Sequence, residues 1–244
     1  MKLSVIIPVY NEESSVSTVI ETVLAQPLPG KIEKEIIVVN DGSTDLSAEN
    51  VQKYTSNREV RLISHDKNLG KGAAIRTGIK QAEGDLIIFQ DADLEYNPAD
   101  YPAMMEPFLK NNADVVYGSR FLCKKNLFFS PANRFANKFL TTLSNFLSSM
   151  KVTDMETCYK AMRRETIEKI TLKENRFGIE PEITAKIAAI YRRKKLRFTE
   201  IPISYNPRTY REGKKIRFSD GLKAIGAIVK YNLFCPHISK EDFK

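Results

Sequence analysis

The chain has 244 residues, 42% hydrophobic and 28% charged, enough to bury a sizeable core and too apolar for a disordered chain. Three scattered cysteines without a CxxC and only two histidines exclude a disulfide scaffold, a cysteine zinc site and a multi-histidine metal centre. The net charge of +8 is local, because residues 192–217 carry ten Lys/Arg against two Glu while the rest of the chain is neutral. Such a zone suits a solvated cationic face, an anionic ligand or an anionic membrane surface. No zinc-finger or RNA-recognition signature accompanies it, and nucleic acid is not an expected partner. No run approaches the ~18 apolar residues of a membrane span, and LSVIIPV after a single lysine is too strand-like for a signal peptide. A reducing, cytoplasmic setting is expected.

In chain order, residues 3–7 (LSVII) read as a central strand that Pro8 closes. Residues 12–25 place Val16, Val19, Ile20, Val23 and Leu24 at helical spacing, with Glu12 and Glu13 in the opening turn. Residues 35–39 (EIIVV), 60–64 and 86–89 (LIIF) read as strands, 70–82 as a helix. A helix follows the Asn97-Pro98 start signal, then a fifth strand at 114–117. Apolar strands alternating with helices predict an α/β fold, a parallel sheet covered on both faces. In such sheets ligands bind beyond the carboxyl ends of the strands. Further on, 131–150 is a predicted helix with Phe135, Phe139, Leu143, Phe146 and Leu147 on one side, either core or, with LFF at 127–129, a membrane-interface face. Helices are expected at 164–172 and 180–191, a strand at 197–203 and a closing amphipathic helix at 217–234. No linker composition interrupts the chain, so residues 1–244 are read as one domain with a C-terminal elaboration.

The strongest chemical signal is Gln90-Asp91-Ala92-Asp93-Leu94-Glu95, directly after LIIF. In an extended chain residues two apart face the same way, so Asp91, Asp93 and Glu95 are expected to converge. Three carboxylates repel one another unless a cation compensates them, and all-oxygen ligands favour Mg²⁺ or Mn²⁺. Pro8-Val9-Tyr10-Asn11-Glu12 and Asn40-Asp41-Gly42-Ser43-Thr44-Asp45 end the first two strands on the same sheet edge. A nucleoside needs an acceptor for a base N–H, a carboxylate for ribose hydroxyls and a stacking surface, which Asp41, Glu12 and Tyr10/Pro8 offer. Asn68-Leu69-Gly70-Lys71-Gly72 opens a helix whose amides favour anions, and lacks the Walker pattern. His65, at a strand end, reads as structural. Asp154, Glu180 and Glu182 suit either an acceptor pocket or helix-terminal roles.

The series PVYNE, NDGSTD, NLGKGAAIRTG, QDADLEYNP and YGSRF resembles family 2 of the nucleotide-sugar glycosyltransferases, over residues 3 to about 122. DMETCYK at 154–160, FGIEPE at 177–182, IPISYNPR at 201–208 and EGKKI at 212–216 resemble the dolichyl-phosphate mannosyltransferase branch of that family. The resemblance implies a GT-A fold, with residues 1–122 binding the nucleotide-sugar and 123–244 on the acceptor and membrane side. It implies that Pro8, Tyr10, Glu12, Val39 and Asp41 hold the nucleoside, that Asp91, Ala92 and Asp93 reach ribose, diphosphate and metal, and that Glu95 is a further metal ligand. Arg120 is expected on a donor or acceptor phosphate. A closing loop supplies an arginine and a lysine, here Arg208 and Lys215, with Arg211 and Lys214 as competitors because the spacing is one residue longer. The implied reaction is inverting transfer of one sugar from a nucleotide-diphospho-sugar, UDP- or GDP-linked, to polyprenyl phosphate at a cytosolic membrane face, with catalytic Asp93, Arg120, Arg208 and Lys215. No general base is then required. Transfer to a glycan hydroxyl and a non-catalytic binding subunit stay open, as does a membrane-embedded partner.

Overall fold

The structure, a computed structural model, describes residues 1–123, 131–194, 196–208 and 218–234. One seven-stranded sheet organises them, in the order β3-β2-β1-β4-β6-β5-β7. Strands β1 (Lys2–Val9), β2 (Glu33–Asn40), β3 (Val60–Ser64), β4 (Leu86–Phe89), β5 (Val115–Ser119) and β7 (Phe198–Pro202) share one direction, while β6 (Lys160–Arg163) runs against them between β4 and β5. Helices α1 (Val16–Ala25), α2 (Ser47–Gln52), α3 (Lys71–Gln81), α4 (Tyr101–Lys110), α5 (Pro131–Ser148), α6 (Arg164–Ile167), α7 (Ile179–Lys194) and α8 (Phe218–Val229) flank it, and a π-helical turn, Lys230–Phe234, follows α8. The mostly parallel, helix-flanked sheet expected from the sequence is present. Its central strands are solid Ile, Val, Leu and Phe, fully buried from Val5 to Ile7 and from Leu86 to Phe89. Each such side chain contributes roughly 1.5–3 kcal/mol on burial.

Several local expectations are corrected. Pro8 does not end β1, which continues to Val9 and pairs Pro8 with Val39. The parity that sends the Ile6 carbonyl to the Gln90 amide turns the Pro8 nitrogen toward β4, whose ladder stops there. The missing donor therefore costs no bond on the β2 side and frees residues 90–95 to peel away. Helix α1 begins at Val16, and Glu12 and Glu13 precede it as turn residues with other tasks. The expected helix over 164–172 shrinks to Arg164–Ile167 because the buried Glu182 carboxylate accepts from the Lys173 and Glu174 amides, fixing that segment in an irregular path. Strand β6 and helix α2 had no clear pattern of their own.

β6 matters most for the site. Being antiparallel, it starts at the edge where its neighbours end, and so carries the loop before it to that edge. Its first residue, Lys160, is fully buried. The ammonium donates to the Met155 and Thr157 carbonyls at 2.9 and 2.6 Å and pairs with Glu180, which is what makes burying it tolerable.

Helix α5 buries Leu140 together with polar residues and leaves aromatic ones outside. Thr141, Ser144 and Ser148 are buried, Leu143 and Leu147 pack partly on the core, and Phe135, Phe139 and Phe146 stand 74%, 50% and 81% exposed along one face. Leu222 of α8 and Phe234 add to the exposed apolar surface. Among the described residues no helix is long and apolar enough to cross a membrane. Five of the ten Lys/Arg of the basic zone, Arg211, Lys214 and Lys215 among them, lie outside the described residues.

At the opposite, amino edge of the sheet, buried Glu35 accepts from Ser4 Oγ (2.5 Å), the Glu83 and Gly84 amides and Arg61, with Lys2 at 3.1 Å. Burial pushes this carboxyl up, but the bonds from Ser4, Glu83 and Lys2 outweigh it and hold it below the ordinary carboxylate range. A depressed carboxyl stabilises the fold above its unfolded-state value and ceases to do so as pH falls through the folded-state value. Glu35→Gln should therefore cost about 2 kcal/mol at neutral pH and flatten the loss of stability below about pH 4.3. Urea melts between pH 3 and 7 check this, and an unchanged acid slope would contradict the assignment.

Candidate active site at the carboxyl edge of the sheet

The carboxyl ends of β1, β2 and β4, the loop before β6 and the start of α7 enclose a cleft of about 560 Å³, well within the range of small-molecule sites. Pro8, Tyr10, Glu12, Asp41, Asp91, Ala92, Asp93, Glu95, Arg120 and Arg208 all line it, so the sequence-predicted residues that are described converge, with one exception. Val39 is fully buried inside β2 and contributes no cleft surface.

On the β1–β2 side, Tyr10 is 37% exposed. Asp41 sits at its base and organises the neighbouring loop: it accepts from the Leu69 and Gly70 amides at 2.9 and 2.7 Å and meets His65 Nδ1 at 2.7 Å, while His65 Nε2 lies 2.9 Å from the Thr77 hydroxyl. With both ring nitrogens engaged, His65 has the structural role expected of it. Gly70 makes this turn with φ 103, and a Cβ there would strike the Asn175 carbonyl.

At the end of β4 the three carboxylates share the cleft but do not meet at one point as alternation predicts. The period-two argument fails because residues 92–96 are turns and bends, with Leu94 in the left-handed region at φ 62. Each acid finds its own partner instead. Asp91 pairs with Lys71 at 2.7 Å; Asp93 takes Arg208 Nη2 at 2.9 Å; Glu95 accepts from the Tyr205 hydroxyl (2.6 Å) and the Arg208 amide (2.9 Å). Glu12, released from the helix, reaches Arg208 Nη1 at 3.0 Å. Arg208 thus straps residues 205–208 across the cleft, and its Nε is buried without a hydrogen-bond partner among the described residues. The acids still feel one another: burial first, then Asp91 and Glu95, push the Asp93 carboxyl up to about 7 against the pull of Arg208.

Arg120 is buried rather than a surface arginine. Its Nε and Nη2 hold Asp154 at 2.7 and 2.8 Å, and its guanidinium lies 5.0 Å from the Tyr205 ring centroid. Asp154 is thus the buried anchor beneath Arg120, and Glu182 is structural. Glu180 lines the cleft, paired with Lys160 and 3.3 Å from Lys71. The sequence reading passed over Lys71 as an individual residue, although a lysine opening a helix at a glycine turn is a signal for it. It also passed over Glu156 and Tyr205, which nothing in the linear pattern marks.

Among the described lining residues, eight carboxylates face five Lys/Arg. That excess suits a cation, and carboxylate oxygens are the donors a hard divalent ion takes. Among the described residues, no three such side chains are grouped as a ready site, so an ion held here would draw on Asp91 and Asp93 and complete its shell from ligand and water.

Residues 4–171 match the family model for Glycosyl transferase family 2. Among curated proteins, the dolichol-phosphate mannosyltransferase of Pyrococcus furiosus is 30% identical over 217 residues, 88% of this chain and 59% of that protein. The dodecaprenyl-phosphate galacturonate synthase of Rhizobium johnstonii is 30% identical over 174 residues, 70% of this chain and 51% of that protein. The chain thus spans between half and three-fifths of the length of these relatives. Among solved structures, glucosyl-3-phosphoglycerate synthase from Mycobacterium tuberculosis with uridine diphosphate superposes with a TM-score of 0.70 at 18% identity, covering 94% of this chain and 79% of that one. A structure of the same enzyme with Mn²⁺, uridine diphosphate and glucosyl-3-phosphoglycerate gives 0.67 at 19%, over 95% and 80%. At that identity the likeness establishes the GT-A-like fold alone. With the family model covering more than half of its length, the chain belongs to glycosyl transferase family 2.

Proposed function

We propose that the protein is an inverting hexosyltransferase that moves one sugar from a nucleotide-diphospho-sugar to a polyprenyl phosphate at a membrane surface. The observation that carries this reading is Arg208, a cleft-lining guanidinium balanced between Glu12 and Asp93, whose buried Nε makes no hydrogen bond among the described residues and has Glu95 only at 4.0 Å. An orphaned buried donor costs about 1–3 kcal/mol, a cost that a phosphate oxygen would remove. The names of the family relatives, a mannosyltransferase of dolichol phosphate and a galacturonate synthase of dodecaprenyl phosphate, point to the same acceptor chemistry.

The nucleoside lies between Tyr10, Pro8 and Asp41, and the diphosphate reaches the end of β4. Asp91 and Asp93 would hold Mg²⁺ or Mn²⁺, which would neutralise charge on the leaving group. Arg208, with Lys215 from outside the described residues, leaves its carboxylates for the diphosphate and stabilises the charge that develops as the bond breaks. Arg120, held rigid by Asp154, keeps positive charge at the wall where the acceptor phosphate arrives. That phosphate is already ionised near neutral pH, so its oxygen attacks the anomeric carbon directly. The C1–O bond to the diphosphate breaks with its electron pair, and the anomeric centre inverts without a general base. Attack by a glycan hydroxyl would need a base instead, and Glu156, lifted to about 7 chiefly by burial, is the cleft residue that suits it.

The exposed phenylalanines of α5 are the surface for a lipid substrate, with Arg134 and Lys138 on the same helix to meet anionic headgroups. The cytosolic face is the expected side.

Incubation with polyprenyl phosphate, a panel of UDP- and GDP-sugars and Mn²⁺ should place labelled sugar in the organic phase. Asp93→Asn and Arg208→Ala should each lower turnover about a hundredfold or more. Undiminished turnover in either variant contradicts the role given to it, product only with a glycan acceptor favours the hydroxyl reading, and no product with any donor leaves a binding subunit. Phe135→Ser/Phe146→Ser should reduce co-sedimentation with anionic vesicles at least tenfold while transfer to a short, detergent-soluble acceptor persists. Equal sedimentation would remove α5 from the membrane contact.

A further inference from the structure

Transfer to a phosphate gives the cleft residue Glu156 no work. Glu156 lies in the loop that the antiparallel β6 brings to the carboxyl edge, and it lines the cleft with Glu180. Its Oε1 is buried and has no hydrogen-bond partner among the described residues. Oε1 of Glu180, a residue only 4% exposed, likewise makes no hydrogen bond, although the Lys71 ammonium lies 3.3 Å away. Buried acceptors left unsatisfied are rare in folded proteins and call for a donor from elsewhere.

The position of this pair follows from the strand order. The nucleoside residues sit at the ends of β1 and β2, Asp91 and Asp93 follow β4, and Glu156 and Glu180 lie beyond them on the β6–α7 side. Lys71 marks the joint, touching Asp91 on one side and Glu180 on the other. Whatever extends past the diphosphate along this line meets Glu156. The neighbouring cations are already engaged: Lys160 by Glu180 and two carbonyls, Arg120 by Asp154, Lys71 by Asp91. The wall therefore offers hydrogen-bond acceptors and negative charge.

Resting on the transferase reading, we infer that Glu156, backed by Glu180, is the acceptor that holds hydroxyl groups of the transferred sugar, and that the donor sugar is a hydroxyl-bearing hexose and not a uronic acid. Ring hydroxyls donate to the unsatisfied Glu156 oxygen, whereas a sugar carboxylate would add a further acid beside Glu156 and Glu180, where the flanking Lys71, Lys160 and Arg120 are already paired with carboxylates. Burial lifts the Glu156 carboxyl to about 7 against the pull of Lys160 and Arg120, with Glu180 adding to the rise, consistent with a group kept from water. A carboxylate bond to a hydroxyl is worth about tenfold or more in affinity.

The test is calorimetric, with Mn²⁺ present, using UDP, UDP-glucose and UDP-glucuronate in parallel with GDP, GDP-mannose and GDP-mannuronate. In the series whose nucleoside diphosphate binds, the hexose donor should bind at least tenfold tighter than its uronate partner. Glu156→Gln and Glu156→Asp should each weaken the hexose donor about five- to tenfold while leaving the nucleoside diphosphate unchanged. Equal affinity for hexose and uronate overturns the inference, as does an unaltered hexose affinity in both variants or a parallel loss of the bare nucleoside diphosphate. A variant that binds the hexose donor normally and loses turnover would make Glu156 a base and overturn it too. Lipid transfer that persists with any of these results leaves the transferase reading standing. If no nucleotide of either series binds and no lipid product forms, both readings fall together.

Discussion

Negative charge crowded at the end of β4 is the constraint around which the rest of the site is arranged. Asp91, Asp93 and Glu95 leave the sheet within five residues, and Glu12 arrives beside them from the end of β1. Carboxylates so close repel unless each is matched, and Asp93 shows the residual strain in its raised protonation range. Lys71 from α3 answers Asp91, and Arg208 from beyond β7 answers Glu12 and Asp93 at once. Two cations from segments 137 positions apart in the chain thereby close one site.

In the proposed reaction the same arrangement would let the cleft change partners. Arg208 is held by carboxylates that a divalent ion would itself claim, so an ion on Asp91 and Asp93 would weaken the hold on the guanidinium as an anionic ligand enters. Arg120 behaves differently. Its partner Asp154 is wholly buried and its face is covered by Tyr205 and Tyr96, so it is a fixed charge against which the movable one works. The aromatic outer face of α5 adds a second requirement, since three phenylalanines exposed along one face make little sense for a helix that meets only water.

How much was legible in the sequence follows from where each element's information resides. The strands β1, β2 and β4 read correctly because burial on both faces demands apolar runs, and LIIF is found where it was expected, at 86–89. The Asn97-Pro98 helix start was legible from local capping chemistry, the Asn97 side chain accepting from the Ala99 amide. β6 was not, because its four residues are KAMR and it is held by β4 and β5 and not by its own pattern. The acidic motif was legible as chemistry but not as geometry: a left-handed Leu94 redirects what alternation would have aligned. Asp154 was noticed, yet only the folded chain reveals that it anchors Arg120. Glu156 is invisible in one dimension, since its significance is an oxygen without a partner.

Because acids outnumber cations among the described lining residues, the account stands or falls on how the cleft receives a pyrophosphate. Titrating UDP and GDP into the protein by calorimetry, with Mn²⁺ and then with chelator, measures this directly. The account predicts that one of the two nucleotides binds at least tenfold more tightly with the ion than without it. Equal binding in chelator would mean that the carboxylates at the end of β4 take no part in holding the diphosphate.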